Sequence, residues 1–203
     1  MNKTLMLIAS FFLISSPVSA MQIVADPRII ISFMDNSLPP ELDILRVTTD
    51  VSEDNHLIFQ VQTRGERING KNNDYIVLNI LHEKTYALII PLNTETEESI
   101  QVYEGGLRPE KQLTSITFKK SEINNEHTGF SVRRVNRGVE FTIPLDWINF
   151  GADFGFDAYT IHARIKENAL YIDEVYDQAR RGRPQEKQIS AITLLNNICS
   201  PKK

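Results

Sequence analysis

Tyr159-Thr160-Ile161-His162-Ala163-Arg164-Ile165-Lys166 alternates residue by residue between an apolar row (Tyr159, Ile161, Ala163, Ile165) and a polar row (Thr160, His162, Arg164, Lys166). Successive side chains of a β-strand leave opposite faces of the pleat, so a period of two predicts a strand with one buried and one wet face. The same period recurs at His56–Gln62, where Leu57, Phe59 and Val61 share a face, and at Val139–Ile143. Arg28–Phe33, Leu42–Thr48, Asp74–Leu81, Thr85–Pro91, Ser99–Tyr103, Gln112–Lys119 and Gly129–Val135 are further strand candidates, with Ala169–Ile172 and Ile189–Leu195 as weaker ones. Ser52-Glu53-Asp54-Asn55, Asn69-Gly70 with Asn72-Asn73-Asp74, and Asn136-Arg137-Gly138 separate these runs with residues that tolerate left-handed backbone or bond their own main chain. Helix is expected only as one turn at Pro144–Ile148 and two or three turns at Asp173–Arg181. Short strands at close spacing without alternating long helices predict an all-β chain. The expected architecture is an antiparallel two-sheet β-sandwich, immunoglobulin-like or jelly-roll-like, with one or two short helices.

Composition agrees with this reading. A hydrophobic content of 41% with a net charge of −4 excludes an intrinsically disordered chain. One cysteine among 203 residues excludes an internal disulfide framework and a cysteine-rich zinc module. Residues 1–20 differ from the rest: Lys3 precedes the apolar run Leu5–Ile14, and Val18-Ser19-Ala20 supplies small residues one and three places before a cut. The run is shorter than the roughly 20 residues that span a bilayer. It predicts a cleaved signal peptide at 1–20, a single domain at 21–203, a periplasmic or secreted location and no transmembrane anchor. Cys199 then meets an oxidising compartment, either as a spectator thiol or paired with another chain.

No catalytic signature stands out. His56, His82, His127 and His162 lack the spacing that aims two imidazoles at one metal, so no metal ligand is assigned. There is no Gly-x-Ser-x-Gly elbow and no phosphate loop. A glycoside hydrolase needs only two suitably spaced carboxylates, and no acid pair is identifiable as one. Asp50, Glu53 and Asp54 share a tight turn where calcium could find oxygen ligands, though the Gly and distal Glu of an EF-hand loop are missing. The expectation is therefore no cofactor, with calcium possible but unassigned.

Two groups of residues carry a functional reading. The polar row offers His162, Arg164 and Lys166 as donors in line on a sheet face, suited to a hydroxylated or anionic ligand. Trp147, the only tryptophan, joins them as a candidate aromatic contact for a sugar, against a plainer reading as a core plug. Arg180, Arg181 and Arg183 form a basic cluster on an acidic protein, a candidate contact for a protein partner or simply a helix end. Nucleic acid does not suit an exported acidic protein.

Leu42–Val47, the turn at Ser52–Asn55 and Leu57–Val61 resemble the opening strand pair of DOMON-like domains and the related family-nine carbohydrate-binding modules. Val139–Leu145 followed by Gly155–Ala158 resembles a later strand of that group and the short turn after it. The resemblance implies a two-sheet sandwich that binds a sugar or, in some members, haem. The haem version uses Met and His ligands, and Met34 is the one internal methionine beyond the leader. Asp26, Asp35 and Asp43 compare with acids of the calcium site in some relatives. The combined expectation is an exported, non-enzymatic protein that binds carbohydrate on a sheet face. The alternative is a secreted or envelope interaction factor, host-facing in one version, with a glycoside hydrolase third.

Overall fold

The computed structural model describes residues 26, 28–66, 73–92, 100–105, 117–120, 129–179 and 189–200. The signal peptide expected at 1–20 and the basic cluster Arg180, Arg181 and Arg183 lie outside the described residues. Among the described residues twelve strands run in chain order: β1 (Ile29–Ile31), β2 (Ile44–Val51), β3 (His56–Thr63), β4 (Asp74–His82), β5 (Lys84–Pro91), β6 (Gln101–Glu104), β7 (Thr117–Lys120), β8 (Ser131–Val135), β9 (Gly138–Pro144), β10 (Asp153–Lys166), β11 (Ala169–Ala179) and β12 (Ile189–Ser190). A 3-10 turn occupies Leu145–Trp147, and one α-helix, α1, spans Ala191–Cys199.

The strands form two antiparallel sheets, as the alternation predicts for an all-β sandwich. One sheet has five strands in the order β1-β2-β3-β9-β8. The other has seven, and it closes on itself. β4 pairs with β5, β5 with β6, β6 with β7 and β7 with β11; β10 then pairs with β11 along one edge and with β4 along the other. Six strands thus make a ring, with β12 attached to the start of β10. Among the described residues the six ring strands are each paired on both sides, where an immunoglobulin-like or jelly-roll sandwich leaves open edges.

Closure creates two cores. Ile76, Leu78 and Ile80 of β4 and Leu88 and Ile90 of β5 pack against Val47, Leu57, Phe59, Val61 and Phe141 of the five-stranded sheet. The opposite faces of the ring strands, including Tyr75, Val77, Ala87, Ile89, Tyr103, Tyr159, Ile161, Leu170 and Ile172, fill the ring interior. Hence β4 reads Tyr75-Ile76-Val77-Leu78 without alternation: both of its faces are buried. Full burial of each such side chain is worth about 1.5–3 kcal/mol.

Two of the turns read from the sequence, Ser52–Asn55 and Asn136–Gly138, lie among the described residues, and a further one joins β10 to β11. The β10–β11 hairpin turns through Glu167 and Asn168, at φ 49° and 63°, with Lys166 opposite Ala169. Asn55 and Arg137, at φ 59° and 57°, turn the β2–β3 and β8–β9 hairpins. Gly138 follows at φ 154°, where an added Cβ would collide with the Val61 carbonyl oxygen.

Two expectations are corrected. Asp173–Arg181 is not helical: through Ala179 it is the second half of β11. Its apolar residues Val175, Tyr176 and Ala179 mimic helical spacing because β11 carries two bulges that interrupt the period of two. Ile189–Leu195 is strand for two residues only, after which α1 begins. Ser190 caps α1 by accepting from the Thr193 N–H at 3.3 Å, and Ala191 and Leu194 turn one helical face into the inter-sheet core.

One joint fastens the ring to the five-stranded sheet. Thr160 is fully buried, and its hydroxyl donates to the Leu42 carbonyl at 2.6 Å. Its cross-strand neighbour Asp177 accepts from the Ile44 N–H at 2.7 Å. Between them the buried Asp43 takes the Arg64 guanidinium at 2.7 Å, and Arg64 also donates to the Leu38 carbonyl at 2.6 Å. Arg64→Ala would strand a buried carboxylate. We expect a loss of about 2–4 kcal/mol, toward the lower part of the range for a broken buried pair because Arg64 keeps some solvent contact. Urea unfolding of both proteins measures it, and a loss below about 0.5 kcal/mol contradicts the joint's importance.

Candidate functional site

β10 sends Thr160, His162, Arg164 and Lys166 to its outer face, but the row is not uniformly wet. Thr160 lies under the five-stranded sheet in the joint described above, whereas Arg164 and Lys166 are exposed beyond it. His162 stands at the boundary, with a side chain 30% exposed.

The chain surrounds this boundary with partners drawn from the two strands flanking β10. Asp74, at the start of β4 and buried, places Oδ1 at 2.8 Å from His162 Nδ1. The Tyr176 hydroxyl donates to the same oxygen at 3.1 Å. Arg164 donates from Nε and Nη2 to the two oxygens of Asp173, at 2.7 and 2.6 Å, a bidentate fork. The register explains how Asp173 and Tyr176 come to serve. Thr160 faces Asp177 and Ile161 faces Val175, so Tyr176 is an extra residue. His162 faces Glu174 and Ala163 faces Ile172, so Asp173 is another. Each bulge residue is turned out of the ladder and reaches a polar partner. Tyr171, directly opposite Arg164, stands between the inward residues Leu170 and Ile172 and so shares the Arg164 face.

The local electrostatics run in opposite directions at two acids. The hydrogen bond from Arg164 holds Asp173 below the usual carboxylate range against the effect of burial, with the positive charges of Arg164 and Lys166 acting in the same sense. Asp173 raises Arg164 in turn. Asp177, in the joint next door, is pushed up chiefly by burial, with the charges of Asp43 and Asp35 adding to it against the hydrogen bonds from Ile44 and Gln178.

Of the four ligand-contact candidates, the structure brings His162, Arg164 and Lys166 to one face and puts Trp147 elsewhere. Trp147 packs edge-on against His82, Tyr86 and Phe130, each with ring centroids 5.2 Å away. His82 ends β4 and Asp74 begins it, so the two places are separated by the nine-residue strand, roughly 25 Å. Trp147 thus closes the far end of the inter-sheet core. Of the acids compared with a calcium site, Asp35 and Asp43 lie together, the Asp35 N–H donating to Asp43 Oδ1 at 3.2 Å, with Asp35 also taking Ser37 and Asp43 taking Arg64, whereas Asp26 forks to Arg28. Asp50 accepts from the Val51 N–H. Among the described residues no group of three or more His, Cys, Asp or Glu could hold a metal ion. Asp74, Tyr171, Asp173 and Tyr176 were not singled out by the sequence as partners of β10.

No protein-family model, curated protein or solved structure matches this chain. Among the described residues no helix is long and apolar enough to cross a membrane.

The two shifted acids predict opposite pH behaviour. Asp177 is raised in the folded state, so its contribution to stability is complete below the unfolded value of about 3.9 and is lost as pH climbs through the folded value. Asp173 is lowered, so its contribution is present above about 3.9 and is lost as pH falls through the folded value. Unfolding free energies from pH 2.5 to 7 should therefore show wild type losing ground to Asp177→Asn with rising pH. Over the same range wild type should gain modestly on Asp173→Asn, an exposed pair. Slopes of the same sign would contradict the assignment.

Proposed function

We propose that this chain is an exported, non-catalytic protein that binds carbohydrate on the outer face of the β10–β11 hairpin. The observation that carries the reading is the paired arrangement on that face: His162 held by Asp74, which also accepts from Tyr176, and Arg164 forked to Asp173. A sugar hydroxyl both donates and accepts. Side-by-side donors and carboxylates, already fixed by one another, meet that requirement without ordering cost at binding. Tyr171, in register with Arg164, supplies an aromatic residue on the same face for the apolar C–H side of a pyranose. Lys166 extends the donor row to the hairpin tip. The leader at 1–20, with its small-residue cut site, supports export to the periplasm or medium.

A glycan array with the purified protein tests the reading. The wild type should retain a restricted set of glycans. Tyr171→Ala and the double variant His162→Ala/Arg164→Ala should each weaken them at least about tenfold, as expected for loss of a stacking ring or of paired polar contacts. Unchanged binding in both variants would remove the site, and no binding by the wild type would remove the carbohydrate.

A second reading, an envelope or secreted interaction factor, draws on a separate observation. Ile31, Phe33 and Met34, in and just after the edge strand β1, are 76%, 94% and 56% exposed, a run of apolar side chains that soluble surfaces rarely leave together. Arg180, Arg181 and Arg183 supply its polar counterpart in the sequence. Under this reading Phe33→Ser or reversal of Arg180 and Arg181 abolishes partner capture while glycan binding is intact.

A further inference from the structure

The five-stranded sheet ends in two edge strands, β1 and β8, and the sequence treats them differently. β8 carries Arg133 and Arg134, both exposed, and charge of this kind keeps an edge from pairing with a further strand. β1 and its continuation read Ile29-Ile30-Ile31-Ser32-Phe33-Met34, with neither charge nor proline.

The ladder fixes what β1 turns outward. The Arg28 carbonyl accepts from the Thr49 N–H at 2.8 Å, and the Ser32 N–H donates to the Leu45 carbonyl at 2.9 Å. Ile30 lies opposite Val47 in the same register, so the even-numbered residues direct their main-chain groups to β2. The outer edge therefore presents the Ile29 carbonyl, the Ile31 N–H and carbonyl, and the Phe33 N–H. The Ile29 N–H, on the same edge, is already committed to the Asp26 carbonyl at 3.1 Å. Side chains alternate in step. Ile30 is buried in the inter-sheet core, whereas Ile29 and Ile31 are exposed on the opposite face, with Phe33 next in the period.

We propose that β1 pairs with β1 of a second copy, antiparallel across a two-fold axis at Ile31. This register uses the uncommitted edge groups and no others. The two Ile31 residues exchange N–H and carbonyl bonds, and each Phe33 N–H donates to the Ile29 carbonyl of the other copy. Centring on Ile30 instead would ask the Ile29 N–H to leave Asp26 for the opposing Ile31 carbonyl. On the exposed face Ile31 meets Ile31, and each Phe33 covers the other copy's Ile29. Arg28 falls opposite Met34, so no like charges meet within this run. Ile29, Ile31, Phe33 and Met34 together expose roughly 500 Å² per copy, so the dimer hides about 1,000 Å², the lower end for a specific interface. A contact between identical patches closes on two copies, where a heterologous one would grow. The inference commits the apolar run of the interaction reading to one occupant, and it shares no residue with the carbohydrate face.

Sedimentation equilibrium of the purified protein tests it. Wild type should pass from monomer to dimer by about 100 μM, in keeping with an interface of this size. Ile31→Lys should weaken the dimer at least about tenfold, by setting two ammonium groups against each other across the axis. Ile31→Pro removes an outer-edge N–H and none from the β1–β2 ladder, and it should act alike. Because Ile31 is exposed, the lysine variant carries the test if the proline variant does not fold. In a Cys199→Ser background, which removes the chain's only cysteine, Ile31→Cys should cross-link on mild oxidation, since residues bonded in this way stand about 5.5 Å apart at Cα. Ile29→Cys should not, because it faces Phe33. His162→Ala/Arg164→Ala should dimerise as wild type, and Ile31→Lys should keep wild-type glycan binding, so either proposal can fail alone. A wild type that stays monomeric overturns the dimer, even where Phe33 captures a different protein. A dimer undiminished by Ile31→Lys, or cross-linking through Ile29→Cys and not Ile31→Cys, overturns it equally.

Discussion

β10 is hydrogen-bonded along both edges, to β4 over Phe154–His162 and to β11 over Ala158–Lys166. That double pairing turns what would be an open sheet into a ring, and most other features depend on it. It gives β4 and β10 two buried faces instead of one. It provides the second core around Tyr103 and Tyr159. It also brings the start of β4 beside the middle of β10, so that Asp74 meets His162 although 88 residues separate them. A strand satisfied on both edges has no freedom to slide, because a one-residue slip would move Tyr159 and Ile161 out of the ring and Thr160 into it.

The outer-face site uses the one place where this rigid pairing is broken. β11 is longer than β10 requires by two residues, and the ladder ejects Asp173 and Tyr176. An extra residue in a strand is tolerated only where its side chain and backbone find partners. Arg164 and Asp74 are those partners. The bulges therefore convert a regular hairpin into a patch with preset donors and acceptors. The apolar tyrosine, Tyr171, is left in regular register between them and the hairpin tip.

The fold was legible to the extent that burial on one face alone produced alternation. β3 and β9, with the inter-sheet core on one side and solvent on the other, read cleanly from Leu57-Phe59-Val61 and Val139-Phe141-Ile143. Ring closure was not legible, because the continuous apolar run of β4 is equally consistent with any strand covered on both sides. The bulges hid the second half of β11 by spacing its apolar residues like a helix. α1 was hidden differently: the β-branched Ile189, Ile192 and Thr193 masked a Ser190 cap and the Ala191, Leu194 face. At the candidate site, His162, Arg164 and Lys166 were readable because they share one strand, where period alone fixes the face. Asp74 and Tyr176 were not, since their nearness to His162 is a property of closure and bulge rather than of spacing. Thr160 looked identical to its neighbours in the row, and only the overlying Leu42 separates it from them.

The ring also orders events in time. Strands β4 to β7 pair in chain order, but none of them can bury an inner face until β10 and β11 arrive. Pairings between segments this distant in sequence are slow to form, since the intervening chain must be ordered before the contact stabilises it. A chain delivered N-terminus first thus passes through a stage in which Tyr75, Val77 and Ile89 line an uncovered trough. In that interval the same side chains that later make the driest part of the molecule are its stickiest surface.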